Sequence, residues 1–217
     1  LEQYYKNMQD IEFTVEEGRL FMLQTRNGKR TAHAAVKIAV DLVQEGLLNE
    51  REALMKIDPY SLQQLFHPRL DPKAKKNVIA KGLPASPGAA SGRIVFTADD
   101  AVEWSRRGEK VILVRKETSP EDIHGMHVSQ GILTSTGGLS SHAAVVARGM
   151  GTPCIAGCNK IIVQSARKKI VVGDLEISEG DILTLDGGTG EVIFGSVPMI
   201  PPVVTDDLDV ILRWADE

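Results

Sequence analysis

The chain has 217 residues, of which 42% are hydrophobic and 25% are charged, and its formal net charge at pH 7 is -4. This composition predicts one or two globular domains and excludes an intrinsically disordered protein. The basic residues are scattered along the sequence, so the clustered cationic surface typical of nucleic-acid-binding proteins is not predicted.

Localisation is constrained by cysteine usage and by hydropathy. No apolar run approaches the roughly 20 residues that a membrane-spanning helix needs, so we expect no membrane partner. Cys154 and Cys158 lie in a C-x-x-x-C spacing without a second Cys or His cluster, which predicts two buried thiols in a reducing intracellular compartment. The compartment itself is left open. Because the first residue is Leu1 rather than Met, we expect a segment of a longer protein.

The first predicted element is a β-hairpin over residues 10 to 26, with Glu17-Gly18-Arg19 as its turn. A three-residue turn would place Glu12 opposite Gln24. Glu12, Gln24 and Arg26 would then share one face of the hairpin. The apolar residues expected on the other face are Ile11, Phe13, Val15, Phe21 and Leu23.

Helices are predicted from Thr31 to about Phe66. Apolar residues recur at helical spacing until Gly46 ends the first helix. Asn49 with Glu52 is typical of a helix start, and Asp58-Pro59 predicts a third, short helix. The residues 67–76 contain two prolines and several charges, which indicates a domain boundary.

From about residue 78 to 195, strands alternate with helices, which predicts an α/β domain. Thr97 followed by Asp100 predicts a helix over 98–106, and Ser119-Pro120 predicts the start of another. The predicted strands lie near residues 92–96, 110–115, 130–134, 153–156, 169–172, 182–185 and 191–194.

The C-terminal residues predict a turn, a stiff connection and a helix. Gly187, Gly188 and Gly190 favour a tight turn between the last two strands. The proline-dense residues 196–205 predict an extended tether, after which a helix begins at Asp206. We interpret residues 67–76 and 196–205 as hinges of a domain that moves.

The sequence that indicates chemistry is Gly-Gly-Leu-Ser-Ser-His-Ala-Ala-Val-Val-Ala-Arg-Gly-Met-Gly, residues 137–151. Gly137 and Gly138 allow a phosphate group to approach the main chain. Ser140 or Ser141 then caps a helix, which places His142 in its first turn. Unpaired N–H groups and the helix dipole favour an anion there, and the same field favours the neutral, nucleophilic imidazole. We therefore predict that His142 is phosphorylated.

The other histidines lack such a context, and we interpret them as surface or structural residues: His33, His67, His124 and His127. Arg148 lies six positions after His142, roughly on the far side of the helix. This position does not favour direct contact with the phosphate, and bracing of a neighbouring loop is an equal alternative.

Residues 137–151 resemble the phosphohistidine signature shared by pyruvate phosphate dikinase, phosphoenolpyruvate synthase and enzyme I of the sugar phosphotransferase system. Two N-terminal runs, Asp10-Ile11-Glu12-Phe13-Thr14 and residues 23–31, resemble the end of the dikinase nucleotide-binding domain. Enzyme I has no such segment, so the chain most resembles the dikinases. Ser140 stands where many members have threonine, which in plant enzymes is phosphorylated to switch activity, so Ser140 is a candidate regulatory phosphosite.

The resemblance implies a carrier with a swivelling three-layer β/β/α fold. Its domains would be a nucleotide-binding remnant over 1–27, a helical linker over 28–77, the phosphohistidine domain over 78–195, and a linker with the start of the pyruvate-binding domain over 196–217. Gly137, Gly138 and Ser141 would support the phosphate. Glu12, Gln24 and Arg26 would bind ATP, with Glu12 at the Mg²⁺ ion.

The implied reaction converts ATP, pyruvate and phosphate into AMP, phosphoenolpyruvate and diphosphate, in a homodimeric full-length enzyme. The segment alone should not catalyse this reaction, because the substrate sites would lie in other domains. Two alternatives remain open at this stage. One is the carrier domain of a phosphoenolpyruvate synthase, in which water replaces phosphate, and the other is a non-catalytic phosphorelay module.

Overall fold

The computed structural model describes residues 1–202 and 205–216. Val203, Val204 and Glu217, which belong to the predicted tether and the last predicted helix, lie outside the described residues. The helices are α1 (Glu2–Tyr5), α2 (Ala32–Gln44), α3 (Glu50–Leu54), α4 (Pro59–Leu62), α5 (Ala98–Arg106), α6 (Ile123–Val128), α7 (His142–Met150) and α8 (Asp206–Asp216), with 3-10 turns at Gln63–Phe66, Pro120–Asp122 and Ser165–Arg167. The strands are β1 (Gln9–Glu16), β2 (Arg19–Asn27), β3 (Arg69–Leu70), β4 (Val78–Lys81), β5 (Leu83–Ser86), β6 (Ala89–Val95), β7 (Val111–Arg115), β8 (Gly131–Thr134), β9 (Cys154–Ala156), β10 (Ile162–Gln164), β11 (Lys169–Val172), β12 (Leu175–Ser178), β13 (Ile182–Asp186), β14 (Glu191–Phe194) and β15 (Met199–Ile200).

The chain forms two compact units. The first consists of residues 1–66 together with α8, and the second of residues 67–202. None of the helices in the described part of the chain combines the length and apolar character needed to cross a bilayer.

In the first unit, α2, α3 and α8 pack around a common apolar core that includes Val36, Ala53, Leu208 and Ile211. The predicted helix starts are confirmed. Thr31 accepts a hydrogen bond from the backbone of Ala34, and Asn49 with Glu52 forms a capping box. Such reciprocal bonds satisfy N–H groups that have no partner within the helix, which is why these polar residues begin helices.

The hairpin β1–β2 confirms that Glu12 lies opposite Gln24, but its predicted turn is wrong. Glu16 pairs with Arg19, so the turn has two residues, Glu17 and Gly18, with φ 49° and 73°. Positive φ at both positions gives the turn type whose twist fits a hairpin.

A bulge restores the predicted register further along this hairpin. Glu12 pairs with Gln24 whereas Phe13 pairs with Met22, which leaves Leu23 as an extra residue in β2. Phe21 therefore lies opposite Thr14, on the face of Glu12, and not with Phe13 as the sequence predicted. A shift of one residue moves a side chain to the other face, which explains the error.

The second unit has the predicted β/β/α architecture. Its largest sheet has eight strands in the order β4-β14-β13-β6-β7-β8-β9-β5, and β6 to β9 are parallel neighbours. A three-stranded sheet, β10-β11-β12, packs on one face through Ile170 and Ile177. The helices α5, α6 and α7 cover the other face through residues that include Ala101, Met126 and Ala144.

Strand β7 shows why the parallel strands of the large sheet have continuous apolar sequences. Ile112 and Val114 belong to the core beneath the second sheet, whereas Val111 and Leu113 belong to the core beneath the helices. Side chains alternate between the two faces of a strand, so a sheet covered on both faces must be apolar at every position. The strands of this unit that the sequence did not predict are short, with two to four residues each: β3, β4, β5, β10, β12 and β15.

The predicted hinge segments contribute structure to this second unit. Strand β3 pairs with β15 in an antiparallel ladder that aligns Leu70 with Met199. The backbone N–H of Ala89 also donates to the carbonyl of Pro68, at 2.8 Å. Residues 67–71 and 198–200 are therefore bonded to each other and to the body of the unit.

Both cysteines are buried, as the sequence predicted, and are free thiols. Burial raises the pKa of Cys154 to about 12 and that of Cys158 to about 11. Because the thiolate is the reactive form, we expect iodoacetamide at pH 8 to leave both unmodified in the native protein and to alkylate both in guanidinium chloride. Mass spectrometry of intact protein measures this, and alkylation of native protein at the rate of an exposed cysteine would contradict it.

Candidate functional site

The candidate site lies at the carboxyl-terminal ends of two central strands of the large sheet, β7 and β8. Because β7 and β8 are parallel, the residues 116–122 and 135–141 that follow them meet at the same edge. The backbone N–H and the hydroxyl of Thr136 both donate to the carbonyl of Lys116, at 2.9 and 2.8 Å. The two loops are therefore tied to each other directly.

His142 is the first residue of α7, in the first turn as predicted. The cap is Ser141, whose hydroxyl accepts from the backbone N–H of Ala144 at 3.4 Å. Ser140 is exposed and precedes the cap. Ala143, Ala144 and the rest of the buried side of this nine-residue helix pack on the sheet, so the position of His142 is fixed by the fold.

The ring of His142 is oriented by a residue that sequence reasoning missed. Its Nδ1 lies 3.1 Å from the hydroxyl oxygen of Thr118, which is 5% exposed. This is the hydrogen bond that the structure gives the ring within the described residues, and it engages Nδ1. Because Nδ1 is engaged in this way, Nε2 is the ring nitrogen left for a phosphoryl group. The side chain of His142 is half-buried.

The loop that carries Thr118 is braced by a buried carboxylate. Asp122 accepts from the backbone N–H of Ser119 at 2.9 Å, and it forms an ion pair of 3.3 Å with Arg115. Arg115 also donates to the carbonyl of Phe96, at 3.0 Å. A buried charge is stable only when it is paired and hydrogen-bonded, so these contacts hold the loop in one conformation.

The glycines of the second loop have distinct roles. Gly137 has φ 98°, a conformation that favours glycine, whereas a side chain at Gly138 would meet nothing within 4 Å. A Cβ at Gly157 would lie 2.4 Å from the carbonyl oxygen of Gly137, so Gly157 permits the loop to sit against the following chain. The backbone at Gly138 is therefore open to a close approach by another molecule.

Arg148 braces this loop, which is one of the two roles that the sequence left open. Its Nη2 donates to the carbonyl of Leu139 at 2.5 Å. The guanidinium thus joins the last turn of α7 to a residue that precedes its cap.

The predicted nucleotide-binding residues lie in the other unit, on the hairpin. The register places Glu12, Gln24 and Arg26 on one face, and the structure adds Asp10, whose carboxylate accepts from Nε of Arg26 at 2.9 Å. This hydrogen bond and the charge of Asp10 raise the pKa of Arg26.

The predicted metal residue, Glu12, is an exposed carboxylate. Within the described residues, no cluster of three or more His, Cys, Asp or Glu side chains is arranged to hold a metal ion. A single carboxylate fits Mg²⁺ nevertheless, because this ion is commonly held by one or two carboxylates together with substrate phosphates and water.

Three further histidines, in the second unit, have other surroundings. His124 and His127 are exposed, and Nε2 of His124 lies 3.1 Å from the Asp99 carboxylate. Burial lowers the pKa of His67, which packs beside Gly88. Neither feature resembles the environment of His142.

Two family models match the chain. Residues 108–190 match the mobile domain of PEP-utilising enzymes, and residues 1–47 match the pyruvate phosphate dikinase AMP/ATP-binding domain. The first match contains β7, β8 and α7, and hence both loops of the candidate site.

Several curated proteins are similar to the chain over its whole length. Pyruvate, phosphate dikinase of Rhizobium meliloti (strain 1021) is 56% identical, the chloroplastic enzyme of Mesembryanthemum crystallinum 57%, and the enzyme of Rickettsia typhi 54%. The chain spans 24%, 23% and 24% of these relatives, about a quarter of their length. A solution structure of enzyme I shares 21% identity, with a TM-score of 0.31 over 50% of this chain and 37% of that chain.

Proposed function

We propose that the chain is the phosphocarrier part of a pyruvate, phosphate dikinase, because residues 108–190 match the mobile domain of PEP-utilising enzymes and the whole chain is similar to such dikinases. The observation that carries this proposal is His142, held at the start of α7 with Nδ1 bonded to Thr118. The ring is thereby presented as a nucleophile through Nε2 at the electropositive end of a helix.

In the nucleotide half of the reaction, Nε2 of His142 attacks the β-phosphorus of ATP. An N–P bond forms, the bond from that phosphorus to the α-phosphate oxygen breaks, and AMP leaves. Inorganic phosphate then takes the terminal phosphoryl group as diphosphate, so His142 keeps one phosphoryl group. In the second half, the enolate oxygen of pyruvate attacks this phosphorus, the N–P bond breaks, and phosphoenolpyruvate forms.

The residues of this chain hold and orient the nucleophile. For Nε2 to attack, its lone pair must be free, so the ring proton must reside on Nδ1 and be donated to the Thr118 hydroxyl oxygen. The backbone at Gly138 and the first turn of α7 would supply N–H groups to the phosphoryl oxygens. Phosphoryl transfer depends chiefly on such positioning and on charge stabilisation.

At the ATP end, the proposal assigns Glu12, Gln24 and Arg26 to the nucleotide polyphosphate. Arg26 would stabilise phosphate charge, Gln24 would orient the chain of phosphates, and Glu12 would hold Mg²⁺. When bound, Mg²⁺ neutralises charge on the polyphosphate.

The proposed domains follow from this assignment: a nucleotide-binding remnant over 1–27, a helical linker over 28–77, the carrier over 78–195 and the approach to a pyruvate-binding domain over 196–217. Pyruvate and phosphoenolpyruvate would bind in another part of the full-length homodimer. The carrier would therefore have to move between sites. Because residues 67–71 and 198–200 of the predicted hinge segments 67–76 and 196–205 are bonded to the second unit, the hinges would lie at the outer ends of these segments, where residues 67 and 202 bound the unit.

Ser140 is the proposed regulatory position. Its side chain is exposed and the capping role belongs to Ser141, so a phosphate on Ser140 would not remove the helix cap. Its negative charge would repel an incoming phosphoryl group on His142, two residues away.

The proposal is tested by locating the phosphoryl group in full-length protein. After incubation with phosphoenolpyruvate, or with ATP labelled at the β-phosphorus, electron-transfer fragmentation at neutral pH should place an acid-labile phosphate on His142. A label on any other side chain would contradict the proposal. Release of diphosphate in the complete reaction would distinguish a dikinase from a synthase, which releases phosphate.

A further inference from the structure

The loop that carries Thr118 is fixed on both sides of this residue. On one side, the carbonyl of Lys116 accepts two hydrogen bonds from Thr136, at 2.9 and 2.8 Å. On the other side, the backbone N–H of Ser119 donates to Asp122, at 2.9 Å. Within the described residues, the backbone of Thr118 itself makes no hydrogen bond, so the position of its hydroxyl depends on these neighbours.

The contact on the second side depends on a single buried carboxylate. Asp122 is 5% exposed, and both of its oxygen atoms face donors. Its Oδ2 accepts from the backbone of Ser119, and its Oδ1 lies 3.3 Å from Nη2 of Arg115. The guanidinium of Arg115 is itself held by the carbonyl of Phe96, at 3.0 Å. The carboxylate therefore links the carboxyl end of β7 to the residue that follows Thr118.

A carboxylate satisfies both of these donors, whereas an amide of the same shape does not. An asparagine side chain has one oxygen and one NH2 group, so at position 122 one donor would face another donor. The charged guanidinium of Arg115 makes the stronger bond with the amide oxygen. The NH2 group would then face the backbone N–H of Ser119, and the loop would lose its support beside Thr118.

We propose that Asp122 is a positioning residue for phosphoryl transfer, which acts through Ser119 and Thr118 on the ring of His142. This inference rests on the proposed function. The lone pair of Nε2 must point at the phosphorus atom, and the ring is oriented by the Thr118 hydroxyl, 3.1 Å from Nδ1. A small misplacement of a reacting group slows a reaction strongly, so movement of this loop would lower the rate without any direct contact between Asp122 and the substrate.

The test is the rate of phosphoenolpyruvate-dependent labelling of full-length protein with Asp122→Asn. We expect labelling to slow at least about tenfold, because the nucleophile is no longer held in place. The KM for phosphoenolpyruvate should stay near the parent value. The matched control is Asp181→Asn, which should label at the parent rate. Asp181 accepts from the backbone N–H of Ser178, also three residues earlier, at 2.8 Å, but it precedes β13 and lies outside both loops of the candidate site.

A double-mutant cycle distinguishes positioning through Thr118 from an independent effect on the protein. Once Thr118→Val has removed the hydroxyl, the support from Asp122 has nothing left to position. Adding Asp122→Asn should therefore slow labelling by less than about twofold further. Multiplication of the two single effects in the double variant would overturn the inference, and so would labelling of Asp122→Asn at the parent rate.

The melting temperature is measured for every variant, because loss of one member of a buried ion pair can prevent folding. If Asp122→Asn does not fold, Arg115→Met combined with Asp122→Leu removes both charges together and still leaves Ser119 without its acceptor. The same cycle is then measured with that pair, and the same outcomes decide.

The proposed function is tested separately by His142→Ala. A label on that variant would overturn the proposed function. If His142→Ala takes no label while Asp122→Asn labels at the parent rate, the positioning inference alone is wrong.

Discussion

Full-length protein with His142→Ala should take no phosphoryl label from either ATP or phosphoenolpyruvate. The substitution removes the nitrogen that forms the N–P bond, and losing the bond-forming group of a covalent mechanism costs at least about 10⁴-fold in rate. Both partial reactions should be lost together because they share this one side chain. The measurement is acid-labile incorporation of label, followed over time at neutral pH.

The loss of labelling should result from the missing ring nitrogen and not from a change in the fold. Ser141 supplies the cap and Ala143, Ala144 and Ala147 supply the packing of α7, so alanine at position 142 leaves these contacts in place. The matched control is His127→Ala, which removes an exposed histidine from α6 and should label at the parent rate. Labelling of His142→Ala at even a tenth of the parent rate would be incompatible with His142 as the carrier.

Much of this fold could be predicted because local sequence and tertiary structure agree. Thr97 begins α5, Ser119-Pro120 begins the turn before α6, and the apolar runs at β7 and β8 became strands covered on both faces. Gly137 and a serine cap placed His142 in the first turn of α7 without knowledge of the sheet. In each case a few neighbouring residues determine the geometry.

The features that could not be predicted depend on partners distant in sequence or on a single extra residue. Thr118 precedes His142 by 24 positions, and only the parallel pairing of β7 with β8 brings their loops together. No local pattern marks this threonine, although its place just after a buried strand was the available signal. The bulge at Leu23 is the case of a single extra residue. The two-residue turn pairs Glu16 with Arg19, and this register can pair Glu12 with Gln24 only if one residue of β2 has no partner in β1.

Replacing the orienting hydroxyl should slow transfer with little change in stability. Thr118→Val keeps the shape of the side chain but removes the acceptor for Nδ1–H of His142. Without it the ring can rotate and the other tautomer becomes accessible, so the rate of labelling should fall by about 10- to 100-fold. The free energy of unfolding should change by no more than about 1.5 kcal/mol, the usual contribution of one hydrogen bond.

A positioning role for Thr118 requires two further observations. Thr118→Ser restores the hydroxyl and should recover most of the rate, whereas Ser135→Ala, which removes a hydroxyl that donates to Lys116 at 3.4 Å, should have a small effect. The KM for phosphoenolpyruvate should stay near the parent value, because the hydroxyl contacts the histidine and not the substrate. Parent kinetics in Thr118→Val would show that the packing of α7 alone orients the ring.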